Sequence, residues 1–336
     1  MNFTSVGDLA QNLMLRRQGA GLKTDLTRLT QELTTGKRQD ISSHVGGDFS
    51  ALGSLKAAVR RLDAFSQARA DFGIRLDATQ TSLGSLQVAV SNYGTDILAA
   101  SSLEQRDGLE AHAATAFSRL DQAVSYLNTQ SAGRYLFSGT DSAQRPLASA
   151  DDIMAALRPI ASTATDVSDL NSMIDDWFFT PGAGFETAAY GGGSEVVKNV
   201  AISEQRKLDL PIKADDTVFR QMLRDLAMTA LVAEDASVLS PSDERAVLAQ
   251  VGENLIAVED DLTALQRDIG LSQGVLEQEG VAADVERNSI SLAVSEIENV
   301  DQFETASALE AVQYQIETLY VLTARTSQLR LTDFLR

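Results

Sequence analysis

Every seventh residue from Leu248 is apolar: Leu248, Leu255, Leu262, Ile269, Leu276, Ala283, Ile290 and Ile297 form one series without a polar interruption. A second series, three residues on, runs Val251, Val258 and Leu265, lapses at Ser272, Glu279 and Glu286, and resumes near Val294. Series alternating by three and four residues stay on one face only in a long helix packed lengthwise on other helices. About fifty residues make a rod of roughly 75 Å at a rise of about 1.5 Å per residue. An ordinary compact core needs no helix of that length. Ser240 can cap its start, Pro241 suits the first helical position, and Asp243 follows where a carboxylate meets exposed amides. Asp301, before Gln302-Phe303-Glu304, marks a further helix running to about Leu335.

A second rod precedes the first. Leu55, Leu62, Arg69, Leu76, Leu83, Val90 and Ile97 make one series of seven, and Phe65, Phe72, Thr79, Leu86, Tyr93 and Ala100 its neighbour. The spacing predicts a helix over residues 52–100 lying antiparallel to the later rod. A shorter amphipathic helix follows through Leu109, Ala113, Leu120, Val124 and Leu127, ending near Gly133. The first helix, about Ser5 to Thr35, carries Leu9, Leu13, Leu22, Leu26, Leu29 and Leu33, with Gly36 placed to end it. The last carries Phe303, Leu309, Val312, Ile316, Leu319, Leu322 and Leu329. Two helices cannot hide such stripes alone, so these residues are expected to bury against neighbouring subunits.

The helical texture breaks in the middle, where all five prolines and the single tryptophan, Trp177, fall between Pro146 and Pro241. Short helices are expected at Asp151–Leu157 and Asp166–Asp176, strands at Glu195–Ser203 and Arg206–Lys213, and another helix over Thr217–Val232. The expected fold is mainly α: an elongated antiparallel long-helix bundle with a small mixed α/β or β-rich inserted domain. Residues 1–40 and 301–336 would be the terminal assembly helices, 41–139 and 214–300 the bundle, and 140–213 the insert.

Charge narrows the function classes. The net charge is -19, yet residues 1–61 carry +4 (nine cations against five carboxylates) and 320–336 carry +2 (three against one). Residues 62–201 carry -9 (eight against seventeen) and 202–319 carry -16 (eight against twenty-four). An acidic body argues against nucleic acid, whose phosphates need clustered cations. No run approaches the roughly 20 apolar residues of a membrane span, and the first thirty residues, with Arg16 and Arg17 in their middle, do not read as a cleavable signal. Cysteine is absent, which removes thiolate catalysis and disulfides.

Chemistry finds little to build on. His44 and His112 are the only histidines and share no metal-ligand spacing. Gly191-Gly192-Gly193 lacks the strand and lysine of a phosphate loop. Glu259-Asp260-Asp261 reads as a solvated helix face, and Asp151-Asp152 and Asp175-Asp176 as helix-end charges. No catalytic, cofactor-binding or metal-ligating residue is expected. A glycan-cleaving centre in the middle domain would need carboxylates converging across a cleft, Asp176 and Glu186 for example.

Three strings carry a family resemblance. Leu29–Arg38 reads L-T-Q-E-L-T-T-G-K-R, Ser295–Asp301 reads S-E-I-E-N-V-D, and Gly133-Arg134-Tyr135-Leu136-Phe137-Ser138-Gly139-Thr140 has the form G-x-Y-L-F-x-G-T. The chain thereby resembles the flagellin superfamily and, within it, the hook-to-filament junction family (hook-associated protein 3), to whose C-terminus Leu329–Leu335 is also similar. The link Ile41–Asp48 departs from that family's pattern. The resemblance implies a structural, non-enzymatic subunit of the bacterial flagellum, joining hook-associated protein 1 to flagellin as a ring of copies of itself. It further implies export through the flagellar type III apparatus without a cleaved signal, helped by a chaperone at the C-terminal helix, to an extracellular position. The alternative within the superfamily is a flagellin that forms the filament itself.

Overall fold

The computed structural model describes residues 3–102, 111–234 and 240–334. In chain order these form α1 (Phe3–Thr35), α2 (Ile41–His44), α3 (Ser50–Val90), α4 (Tyr93–Ser102), α5 (Ala116–Leu127), β1 (Gln130–Ser131), β2 (Arg134–Tyr135), α6 (Ala150–Ala161) and α7 (Val167–Phe179). A π-helical turn (Phe185–Ala189), β3 (Val197–Ala201), β4 (Lys207–Leu210), α8 (Thr217–Glu234), α9 (Pro241–Glu298) and α10 (Gln302–Phe334) complete the chain. The fold is mainly α. Two compact units divide it, Met1–Leu62 with Asp284–Arg336, and Asp63–Ala283.

The start of α9 follows from its sequence. The Ser240 hydroxyl accepts the amide of Asp243 at 3.2 Å and donates to the Asp243 carboxylate at 2.6 Å, with Pro241 as the first helical residue. Leu248, Val251, Leu255, Val258, Leu262 and Ile269 are all buried. Facing them, α3 runs antiparallel: within the larger unit Gly73 meets Leu276, Asp77 accepts from Gln273, and Gln87 donates to Thr263. The polar residues in the α3 seam have uses. Arg69 donates to the carbonyl of Ile202 at 2.9 Å, and the Thr79 hydroxyl bonds back to Arg75 at 2.8 Å.

The expected helix over 52–100 is two helices. Ser91 and Asn92 separate α3 from α4, and Asn92 stands at φ +61°. Asparagine tolerates this left-handed conformation, which ends α3, and its carbonyl then accepts the Asp96 amide at 2.8 Å to start α4. Heptad spacing does not register the break because Leu83, Leu86, Val90, Tyr93 and Ile97 enter the same core on both sides of it.

The G-x-Y-L-F-x-G-T string forms a hub. Ala132 (φ +49°) and Gly133 (φ +75°) make the two-residue turn between β1 and β2. Leu136 and Phe137 enter the core, where Phe137 meets Phe219 of α8 edge to face with ring centroids 5.7 Å apart. The Phe137 carbonyl accepts the Ala214 amide at 2.8 Å, the Ser138 carbonyl that of Gly193 at 2.9 Å, and the Thr140 amide donates to Glu195 at 2.8 Å. Gly139 (φ +61°) lies so close that a Cβ would collide with the Glu195 carbonyl. Tyr135 is half-buried, its amide bonded to the Ser142 carbonyl at 2.9 Å.

The middle of the chain packs on this hub. The Ser149–Asp152 capping box starts α6, and Asp166 caps α7. Trp177, Phe178 and Phe185 stack edge to face or tilted. β3 and β4 pair antiparallel, as a separate two-stranded sheet. A buried ionic cluster, which periodicity does not reveal, ties α7, α8 and α9 together: Arg224 bonds Asp175 (2.8 Å), Asp225 (2.7 Å) and Asn171 (2.8 Å), while Asn254 reaches Asp225 at 3.3 Å. Burial raises the Asp225 carboxyl above its ordinary value, against the pull of Arg224.

Two outcomes follow. Ala132 pays for a left-handed conformation that asparagine adopts readily, so Ala132→Asn should stabilise the fold by about 0.5–1 kcal/mol in denaturant titration. Tyr93 donates to the His112 carbonyl at 2.9 Å, and burial pushes its phenol from 10.0 up to about 12. Its contribution to stability is complete below pH 10 and is lost as pH rises through about 12. Ultraviolet titration should show this phenol ionising last or nearly so, with Tyr190, also raised by burial, beside it.

Candidate assembly surface on the terminal helices

The smaller unit begins from a turn that locks the two chain ends. Helix α1 ends at Gly36 (φ +71°), whose amide donates to Glu32 at 2.8 Å. Its carbonyl accepts the Val300 amide at 3.0 Å, Arg38 donates to Glu298 at 2.7 Å, and Lys37 pairs with Asn299 in an antiparallel bridge. Two of the strings that carry the resemblance are therefore joined backbone to backbone. Glu32, buried, holds the corner: its carboxylate accepts from Arg28 at 2.9 Å and from the Gln39 amide at 3.0 Å. Lys56 pairs with Glu298 at the same corner. Asp301 then caps α10, accepting the amides of Phe303 (2.8 Å) and Glu304 (3.1 Å).

From this corner α1 and α10 run antiparallel. A Cβ on Gly19 would stand 3.1 Å from a methyl of Leu319, so the missing side chain makes the notch that receives it. With Gly36 level with Val300 and Gly19 level with Leu319, the register sets Leu22, Leu26 and Leu29 against Ile316, Val312 and Leu309. Leu29 is buried, and Leu22, Leu26, Leu33, Leu309, Val312, Ile316 and Leu319 are half-buried. The side chains of Leu9 and Leu329 lie outside the described residues.

Other large apolar side chains of the two helices are exposed. Leu13 is 71% exposed, Met14 72%, Phe303 84% and Tyr314 72%; Tyr320, Val321 and Leu322 are also exposed. The sequence reading included Leu13, Phe303 and Leu322 but missed Met14, Tyr314 and Tyr320, which sit off the leucine stripe. Among the described residues, these seven large apolar side chains lie exposed on one pair of helices.

Glu186 accepts from the Gly182 amide at 2.9 Å and from Arg220 at 3.0 Å, and these bonds hold its carboxyl below the ordinary value. A general acid needs the opposite shift. Asp176 instead accepts from Thr180 at 3.1 Å. Among the described residues no three metal-ligating side chains cluster, and no helix is long and apolar enough to cross a membrane.

Residues 8–142 match the family model of the bacterial flagellin N-terminal helical region. A Vibrio parahaemolyticus chain assigned as a flagellar hook-associated protein shares the fold at 16% identity and TM-score 0.50, over 73% of this chain and 95% of its own. Bacillus cereus FlgL aligns at 13% identity and TM-score 0.48, over 73% of this chain and 99% of its own. Curated proteins gave no match.

Fold and surface separate by mutation. Leu29→Ala should cost about 2 kcal/mol or more and speed hydrogen exchange in both α1 and α10. Leu13→Ala, on the exposed face, should leave monomer stability within about 0.5 kcal/mol.

Proposed function

We propose, on the premise that this chain carries a flagellin-type N-terminal helical region, that it is a structural subunit of the flagellum that joins the hook to the filament. The observation that carries the proposal is the set of apolar side chains left exposed on α1 and α10, with Leu13 at 71% and Phe303 at 84%. In this reading the terminal residues 1–40 and 301–336 form the assembly region. Leu9, Leu13, Leu22, Leu26, Leu29 and Leu33 act with Phe303, Leu309, Val312, Ile316, Leu319, Leu322 and Leu329, partly within the hairpin and partly between subunits. Residues 41–139 and 214–300 form the bundle, and 140–213 an inserted domain that does not carry the assembly surface. The neighbours are hook-associated protein 1 on one side and flagellin on the other, with further copies of the chain beside it in a ring. Export passes through the flagellar type III apparatus, with a chaperone on the C-terminal helix until assembly.

The driving force is burial. Each large apolar side chain removed from water contributes about 1.5–3 kcal/mol, and ordering the terminal helices against neighbours uses part of that gain. A helix pair that gains its second packed face only in the assembly is stable enough to form there and labile enough to be exported. A strain lacking the gene should carry hooks without filaments and release flagellin into the medium. Normal filaments on that strain refute the proposal. Self-polymerisation of the purified chain into long fibres would instead make it a filament subunit. In complementation, Phe303→Asp should fold normally and fail to restore filaments.

A further inference from the structure

In the larger unit a groove of about 320 Å³ opens between α3 and the β1–β2 hairpin, lined by Asp71, Ile74, Arg75, Ser131, Arg134 and Leu136 among others. Arg75 makes a single long bond, from Nη2 to the Leu136 carbonyl at 3.4 Å, and its buried Nε has no acceptor. Burial and, after it, the charge of Arg134 hold the Arg75 guanidinium below its ordinary value. Two like charges thus share one groove, and among the described residues no ion pair joins either to a carboxylate. Asp71 lines the same groove and leaves it with a net charge of +1. Ile74, 57% exposed, adds an apolar wall.

A buried guanidinium N–H without an acceptor is costly, and two neighbouring guanidiniums repel until an oxyanion lies between them. The fork of donors on arginine matches a carboxylate and can hold it bidentately. The volume suits one or two side chains and no folded element. Residues 202–319, with twenty-four carboxylates against eight cations, supply the complementary charge on every copy of the chain.

We propose that this groove receives an Asp or Glu side chain from the acidic 202–319 span of a second copy of the chain, its carboxylate lying between Arg75 and Arg134 and an apolar neighbour covering Ile74. The proposal rests on the assembly reading above, in which copies lie side by side. It adds an electrostatic contact on the larger unit to the apolar one on the terminal helices.

The test uses the purified full-length chain at concentrations where it associates, with p-benzoylphenylalanine placed at Ile74 in one sample and at Leu322 in another. Light should give covalent dimers from both positions, and peptide mapping of the Ile74 dimer should find a peptide from 202–319. Arg134→Glu should lower the Ile74 yield roughly tenfold, since a charge-assisted bond is worth about 1.5–3 kcal/mol, and leave the Leu322 yield unchanged. Changing the mapped acidic residue to Lys in the Arg134→Glu background should restore it. Raising salt from about 0.1 M to about 1 M shortens the screening length from about 10 Å to about 3 Å and should weaken only the Ile74 crosslink. Dimers from Leu322 with none from Ile74 overturn this contact and leave the assembly reading standing. An Ile74 dimer insensitive to Arg134→Glu also overturns it, and absence of dimers from both positions overturns both.

Discussion

Two helices lying side by side can bury one face of each and no more. That limit governs the smaller unit, where α1 and α10 meet along Leu22, Leu26 and Leu29 on one side and Ile316, Val312 and Leu309 on the other. Leu29 is buried and the rest only half-buried. Added helices could have completed the burial, as they do for α9 in the larger unit, where Leu248, Val251 and Leu255 are sealed by neighbours. The chain instead closes the pair at one corner with backbone bonds and Glu32, and leaves Leu13, Phe303 and Tyr314 in water. Such an arrangement holds its two strands of sequence in register without satisfying their apolar surface. Register and incompleteness together suit the assembly role proposed for this end.

The two units solve the same patterning problem in different ways. In the larger one polar residues that interrupt the seam are absorbed: Arg69 caps the Ile202 carbonyl, Thr79 bonds its own helix, and Arg224 is paired on several sides. Arg69 and Arg224 thereby tether elements far apart in sequence. The G-x-Y-L-F-x-G-T string does this with backbone, since Phe137, Ser138 and Thr140 bond two separate segments, at Ala214 and at Gly193–Glu195, within four residues. In this role the string is architectural, with Phe137 packed on Phe219 and Gly139 against the Glu195 carbonyl.

Legibility in the sequence tracked the range of the forces. The start of α9 is written within Ser240–Asp243, the cap of α10 in Asp301, and the end of α1 in Gly36, because capping is settled by adjacent residues. The strands near Pro211 and the helices α6 and α7 were legible for the same reason. The break at Asn92 was hidden because burial on both sides keeps the heptad phase. The Arg224–Asp225 cluster and the Arg75–Arg134 groove were hidden because they join residues tens of positions apart, and a single sequence carries no sign of which charge meets which. On the terminal helices the leucine stripe was readable, yet it marked mainly the seam within the hairpin. Met14, Tyr314 and Tyr320, off that stripe, hold much of the exposed surface.

Electrostatics sets the remaining constraint on the proposed assembly. Copies carrying -19 repel one another, and at physiological salt the screening length of about 8 Å leaves that repulsion effective across a close contact. Attraction must therefore be short in range or placed where the local charge is favourable. The terminal segments meet both conditions. Residues 1–61 and 320–336 are net positive in a chain whose body is acidic, and the first of these carries Leu13 and Met14 exposed. A contact made through them buries apolar surface where repulsion is least, and lets the acidic body of one copy approach the basic end of another. An acidic surface elsewhere then works in favour of specificity, because any pairing that brings body against body without such a cation to receive it is opposed by charge.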